Sequence, residues 1–350
     1  MRYLVAAFAA LTLLLPLTAG SQTVRNAPKV LVIGTGGTIS GGLDPASGQP
    51  RSLTAKDLVA LVPTLKGKVD IEEEDYSNIG SSSMTPELQF KLALRVQDVF
   101  STRPELAGIV ITHGTDSLEE TAFMLDLIVT DARPVVFAAA QRPPRVSDSD
   151  GPRNLENAIR AAIAPQSRDK GVMVSLNEDL HAARYVTKSH AVAVEGFQSG
   201  KKGMLGTVDN GTVIFYNAPL NRVTIPARAV ESKVDLVRLV AGDQGKFINY
   251  SVETKAAGIV IEAFGLGNMP RPVTEAVDRA RKAGLIVVIV SRTAEGRVEL
   301  PEALTKAGVI TGEDLDGLKA RILLCAALGV TNDISTIQQW FHRAGGVLDK

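Results

Sequence analysis

From residue 29 onward, short β-branched apolar runs alternate with segments of helical period, and this alternation constrains the fold more than any other feature. Val30-Leu31-Val32-Ile33 runs into Gly34, and Gly108-Ile109-Val110-Ile111 runs into Thr112. Two further runs are Pro134-Val135-Val136-Phe137-Ala138 and Gly171-Val172-Met173-Val174-Ser175. A strand without polar alternation is covered on both faces, the condition of a parallel sheet with helices above and below. Residues 55–62, 86–100, 117–129 and 155–164 read as the intervening helices. The second of these opens with Thr85 as N-cap, Pro86 at the first helical position and Glu87 in the first turn.

Between residues 182 and 216 the pattern changes. Gly196, Gly200, Gly203, Gly206 and Gly211 punctuate short runs such as Thr212-Val213-Ile214-Phe215-Tyr216, which read as an antiparallel hairpin region. Residues 218–233 carry prolines and charges without a period and read as a linker. Strands then resume at 234–240, 258–261 and 285–290. Helices follow at 273–283, 315–328 and 334–344, the last with Asp333 as N-cap. The expected class is α/β, with two doubly wound, mostly parallel-sheet domains: a larger N-terminal one at 29–217 and a smaller C-terminal one at 234–350.

The first 21 residues read differently. Arg2 precedes an almost wholly apolar stretch from Leu4 to Leu17, and Thr18-Ala19-Gly20-Ser21 follows with small side chains. That stretch is short of the ~20 residues a membrane span requires. It reads as a secretory signal peptide cleaved near Gly20 or Ser21, which places the mature chain in the periplasm or outside the cell with no membrane anchor. Lys and Arg total 38, as do Asp and Glu, so the formal charge is zero and nothing suggests a nucleic-acid partner. The single cysteine, Cys325, lies in an apolar run and reads as a core residue. The four histidines, His113, His181, His190 and His342, lack metal-ligand spacing.

In an open parallel sheet, ligands bind beyond the carboxyl ends of the strands, so residues just after each run are informative. Gly34-Thr35-Gly36-Gly37-Thr38-Ile39 follows the first. It fails as a dinucleotide loop because Ile39 occupies the third glycine position, and it fails as a P-loop for want of Gly-Lys-Ser/Thr. It does offer tight backbone with hydroxyls at Thr35, Thr38 and Ser40. After the second run, Thr112-His113-Gly114-Thr115-Asp116-Ser117-Leu118-Glu119-Glu120 places hydroxyls and a carboxylate beside a helix N-terminus. Such a turn can hold a substrate carboxylate or an oxyanion; equally, Thr115 or Ser117 can cap the helix while Glu119 and Glu120 suit its first turn. In Tyr185-Val186-Thr187-Lys188-Ser189-His190, Lys188 is a surface charge or, held partly out of water, a base toward a hydroxyl nucleophile.

With Gly36-Gly37-Thr38-Ile39 and Ile111-Thr112-His113-Gly114-Thr115-Asp116 both in place, the chain resembles the bacterial L-asparaginase family, in its exported, periplasmic (type II) branch. Asn78-Ile79-Gly80-Ser81, Arg142-Pro143, Asp150-Gly151-Pro152-Arg153-Asn154-Leu155 and Val186-Thr187-Lys188 extend the resemblance over nearly all of the mature chain. It implies hydrolysis of the side-chain amide of L-asparagine without metal or cofactor. Thr38 would be the nucleophile that forms an acyl-enzyme, and Thr115, Asp116 and Lys188 would form a second cluster handling protons. Asp116 and Ser81 would bind the substrate's α-amino and α-carboxylate groups. The Thr115 N–H would serve the oxyanion, and the Ala140 carbonyl would accept from the amide nitrogen. The resemblance also implies a homotetramer whose sites borrow from a neighbouring C-terminal domain, a position matched by Asn268.

Three departures accompany the likeness. Family members usually carry a tyrosine on the loop after the nucleophile, and residues 41–52 have none. Ser82 stands where Gln or Glu commonly contacts the substrate amine. The neighbour's acidic residue falls near Glu299 or Glu302. Two other readings therefore stay open: a glutaminase–asparaginase of broader specificity, and a non-catalytic periplasmic relative that only binds amino acids.

Overall fold

The computed structural model describes residues 27–44 and 46–347, so the expected signal peptide lies outside the described residues. The larger sheet has eight strands, in the order Thr212–Phe215, Gly206–Asp209, Asp179–Ala182, Val172–Leu176, Val135–Ala138, Leu106–Thr112, Lys29–Gly34, Asp70–Asp75. The last five pair in parallel. The first three join them through antiparallel pairs, in the region where glycine punctuation predicts a hairpin. The fold class expected from the sequence is the one observed.

Apolar residues along one strand serve two cores. Val30 and Val32 pack with Leu58, Leu155 and Ile159 of helices Ala55–Ala60 and Gly151–Ile163. Leu31 and Ile33 pack on the other face with residues of helices Pro86–Thr102 and Leu118–Ile128. Thr85 caps the former as its sequence predicts, its side chain accepting from the Leu88 N–H. Several strands have no apolar run to announce them, Asp70–Asp75 and Asp179–Ala182 among them. Asp70–Asp75 is an acidic edge strand whose Glu72 pairs with Lys29 and Arg103, the kind of charged edge that resists pairing with another chain. Asp179–Ala182 turns back from its neighbour through Asn177 and Glu178, at φ 48° and 68°.

Strand order places the crevice. The chain leaves Lys29–Gly34 for the edge strand on one side, then adds every later parallel strand on the other. The loops after Lys29–Gly34 and Leu106–Thr112 therefore diverge, opening a cleft at this switch point. Gly34 pairs with Thr112, so both strands end level. The smaller sheet, Val234–Arg238, Gly258–Ala263, Ile286–Ser291 and Ile310–Thr311, is parallel and strictly sequential, with no such reversal.

Helices Lys246–Glu253 and Arg271–Lys282 cover one face of the smaller sheet. Helix Gly317–Leu328 covers the other and also packs on helix Leu118–Ile128, so a single apolar core runs through both sheets. Being wedged between two layers explains why that helix is apolar nearly all round. Cys325 is fully buried within it, and burial pushes its thiol up to about 12. Residues 218–233 form no described helix or strand, yet Val223 and Ile225 are buried and Arg222 donates to Asp126 at 2.8 Å.

A buried ion pair also joins the two sheets' layers. The Arg184 guanidinium meets Asp314 at 2.5 Å and donates to the Ala344 carbonyl at 2.8 Å, and Lys202 reaches the same carboxylate. Asp314→Ala leaves a guanidinium buried with its main counter-ion gone, and should cost about 3–5 kcal/mol, read as a lower urea midpoint. Replacing both partners, Arg184→Met with Asp314→Leu, should recover most of that loss. A single variant as stable as the parent would show the pair contributes nothing to joining the layers.

Candidate active site

The turn after Lys29–Gly34 is tighter than any side chain permits. Gly36 and Gly37 have φ of 101° and 88°. A Cβ on Gly36 would lie 2.7 Å from the Ile79 backbone, and one on Gly37 would lie 2.3 Å from the Gly114 Cα. With ψ at −172°, Gly37 occupies a region open essentially to glycine alone. The two loops thus touch backbone to backbone. Thr35 reinforces the contact, since its N–H and its hydroxyl both donate to the Thr112 carbonyl, at 3.1 and 2.7 Å. Thr38 then opens the short helix Thr38–Ser40, half-buried, and the chain enters the hairpin Gly41–Leu43 with Pro50–Ser52.

The second loop leans on a third segment. A Cβ on Gly114 would lie 2.6 Å from Ser81 Oγ. Ser81 Oγ accepts from the Asp116 N–H at 3.0 Å, and its carbonyl accepts from Ser117 Oγ at 2.6 Å. Ser117 therefore spends its hydroxyl on Ser81 rather than on capping helix Leu118–Ile128, which begins without a side-chain cap. Thr115 is buried, and Lys188 Nζ donates to its Oγ1 at 2.9 Å and to Asp116 Oδ1 at 3.0 Å. The Lys188 side chain is 17% exposed and that of Asp116 64%, so the ammonium is held behind a carboxylate that faces solvent. Thr38, Ser81, Asp116, Asn78, Ser52 and Arg51 line one cleft of about 360 Å³. Thr115 and Lys188 join it through Asp116.

Lys188 is placed from the other end of the chain. It lies in the two-residue strand Thr187–Lys188, paired with Phe197–Gln198. Glu119, read from the sequence as a helix first-turn residue, is buried and accepts from Thr187 Oγ1 at 2.8 Å and from the Lys188 N–H at 3.4 Å. The same carboxylate takes Lys319 Nζ at 3.3 Å, and that fully buried ammonium also donates to the Val186 carbonyl at 2.6 Å. Lys319 and Glu119 are 200 residues apart, so no local signal in the sequence could have joined them.

The remaining residues expected at the site fall into two groups. Ala140 is buried just past strand Val135–Ala138; Asp150 accepts from the next two backbone N–H groups, and no described residue donates to the Ala140 carbonyl. Ser82 is exposed, one step beyond Ser81 in the helix Ser81–Ser83. Asn268 is exposed in a turn closed on Phe264 and does not line the cleft within this chain. Glu299 and Glu302 are likewise exposed on the C-terminal half, the latter paired with Lys306 at 2.7 Å. Among the described residues, no group of three His, Cys, Asp or Glu side chains could hold a metal ion.

His113 supports the site without facing it. Its Nδ1 donates to the Gly114 carbonyl at 2.7 Å, and its ring packs edge-on against Phe137. Burial brings its pKa down to about 4, and burial does the same for His181. An unfolded histidine takes up a proton near pH 6.5, whereas these two refuse it in the fold until about pH 4. Stability present above pH 6.5 should therefore be lost as pH falls toward 4, by about 3 kcal/mol per histidine. Urea midpoints measured from pH 7 to pH 4 should show the fall, shallower after His113→Gln with His181→Gln. Gly37→Ala should lower the melting temperature far more than Gly67→Ala. Both glycines have positive φ, but only Gly37 meets neighbouring backbone.

Known proteins resemble this chain along most of its length. The family model described as asparaginase, N-terminal, matches residues 29–221. The model described as glutaminase/asparaginase C-terminal domain matches residues 233–341. The L-asparaginase 2 of Bacillus subtilis is 32% identical over 337 residues, covering 93% of this chain and 89% of that protein. The probable periplasmic L-asparaginase of Haemophilus influenzae is 34% identical over 350 residues, covering 95% of this chain and 98% of that protein. The crystal structure of a probable cytoplasmic L-asparaginase from Campylobacter jejuni superposes with a TM-score of 0.82 at 34% identity, covering 90% of this chain and 99% of that one. A chain matched by both domain models, and by relatives along almost its whole length, belongs to the asparaginase family.

Proposed function

We propose that the protein hydrolyses the side-chain amide of L-asparagine to L-aspartate and ammonia through an acyl-enzyme on Thr38. The observation that carries this reading is Thr38 lining one cleft with Asp116, behind which Lys188 donates to Thr115. A threonine hydroxyl is a weak nucleophile and needs a proton acceptor and a stabilised oxyanion. On this reading Thr38 Oγ attacks the amide carbon, the oxyanion takes the Thr115 N–H, and the C–N bond breaks as nitrogen gains a proton and leaves as ammonia. Water then opens the ester, releasing aspartate and restoring the Thr38 hydroxyl. The Thr115–Lys188 pair is the proton relay for both halves. Asp116 takes the substrate's ammonium, Ser81 its carboxylate, and the Ala140 carbonyl the amide N–H.

The wider reading follows the same lines. Residues 1–21 would direct export to the periplasm, in keeping with the apolar segment at the N-terminus and with a relative named as periplasmic. Among the described residues, no helix is long and apolar enough to cross a membrane. The mature chain would comprise an N-terminal domain at 29–217, a linker at 218–233 and a C-terminal domain at 234–350. It would act as a homotetramer, with Asn268 of a neighbouring copy entering the cleft; the exposure of Asn268 within a single chain supports this. L-Glutamine is the second substrate to weigh. Ser82 does not line the cleft of this chain, and one extra methylene changes selectivity by only about 1–3 kcal/mol.

Ammonia release by the chain from residue 22 onward, with L-asparagine and L-glutamine in parallel, tests the reading. Thr38→Ala should lower turnover at least about a thousandfold while the fold survives. Amino-acid binding without ammonia release would replace it with the binding-protein reading.

A further inference from the structure

We propose that Arg51 binds the α-carboxylate of the amide substrate, opposite Asp116, and makes the cleft selective for zwitterionic amides. The inference rests on the function proposed above and deepens it. Among the described residues that line the cleft, Arg51 is the one cation. Asp116 supplies the one carboxylate there, with Lys188 behind it. The cleft is thus dipolar, with opposite charges for the two ends of an amino acid.

The guanidinium is positioned rather than free. Arg51 pairs with Gly42 across the hairpin that begins directly after Thr38–Ser40, so its backbone is tied to the loop of the proposed nucleophile. Its Nη1 meets Asp57 Oδ2 at 3.1 Å. Asp57 is itself fixed, because its carboxylate accepts from the Thr54 N–H at 3.0 Å while its own N–H donates to Thr54 Oγ1 at 3.1 Å. One arm of the planar fork is therefore anchored. The Nε is enclosed and has no hydrogen-bond partner. A small turn of the guanidinium about its anchored arm would bring that donor to an incoming carboxylate, and guanidinium and carboxylate match in geometry as well as charge.

Ser81 alone is a poor receptor for that carboxylate. Its Oγ already accepts from the Asp116 N–H, which leaves a single hydroxyl proton to donate. One neutral donor does not balance a full negative charge in a half-enclosed cleft. Arg51 supplies the missing positive charge, and Asp57 is its positioning residue.

The test compares Arg51→Gln and Arg51→Lys on L-asparagine and on L-asparagine α-methyl ester, which has lost the carboxylate charge. Arg51→Gln should raise KM for L-asparagine at least about tenfold with kcat within about twofold, and change kcat/KM for the ester less than about twofold. Arg51→Lys should fall between, and Asp57→Asn should shift KM the same way by less. Equal losses on both substrates, a loss confined to kcat, or no change would each overturn the proposal. Should the parent chain hydrolyse neither amide, the function proposed above fails by itself. Calorimetric titration then decides the role of Arg51: L-aspartate binding must weaken in Arg51→Gln, and binding of its α-methyl ester must not. Thermal melts establish that each variant is folded.

Discussion

The backbone contact between Gly37 and Gly114 is the constraint on which the site depends. Two strands of a parallel sheet end level, and the loops beyond them would ordinarily splay to admit their side chains. Here a Cβ on either glycine would overlap the other loop or Ser81. With no side chains between them, the loops close to backbone distance and Thr38 is brought beside the turn that carries Thr115 and Asp116. The hydrogen bonds of Thr35 to the Thr112 carbonyl then set the register of that approach. The distance between proposed nucleophile and relay is thus fixed by two absent methyl groups and one shared carbonyl, all on rigid strand ends.

The C-terminal half reaches the same cleft by a different route. Lys319 is almost wholly buried, and a buried ammonium persists only where acceptors surround it. It has four: Glu119, Asp316, the Val186 carbonyl and Thr187 Oγ1. Three of these belong to the N-terminal half, on the helix after the Thr115 turn and on the segment leading to Lys188. The smaller sheet contributes no lining residue to the described cleft, yet its helix sets where Lys188 sits. Shifting helix Gly317–Leu328 would move Glu119 and the Lys188 strand together. Orientation of the proposed relay is in this sense a property of the domain interface.

What could be read from the sequence follows from what is local. Val30 to Ile33 and Ile109 to Ile111 announce buried parallel strands because burial on both faces leaves no polar alternation, and the turns after them are marked by glycine and hydroxyls. Asp70–Asp75 stays hidden for the opposite reason, being an acidic edge strand with no apolar run. Ser117 misleads locally. Its hydroxyl looks like a cap, but Ser81, 36 residues earlier, offers a buried carbonyl that needs a donor. Glu119 misleads in the same way, since a first-turn acid suits the helix dipole and nothing nearby betrays Lys319. Arg51 lies in the loop whose tyrosine is missing, and only the packed hairpin puts its guanidinium on the cleft wall.

Charge in the cleft is arranged locally, and the chain's net charge of zero makes that necessary. With no overall field to draw in a charged ligand, attraction must come from side chains that line the cleft itself. Asp116 faces solvent, while Lys188 behind it is mostly shielded. An ammonium proposed to take part in proton transfer would be screened by water and counter-ions if it stood open to solvent. Holding it between a buried hydroxyl and an exposed carboxylate keeps its charge coupled to Thr115. On the proposed reading, the same exposed carboxylate is the one that would meet the substrate's ammonium.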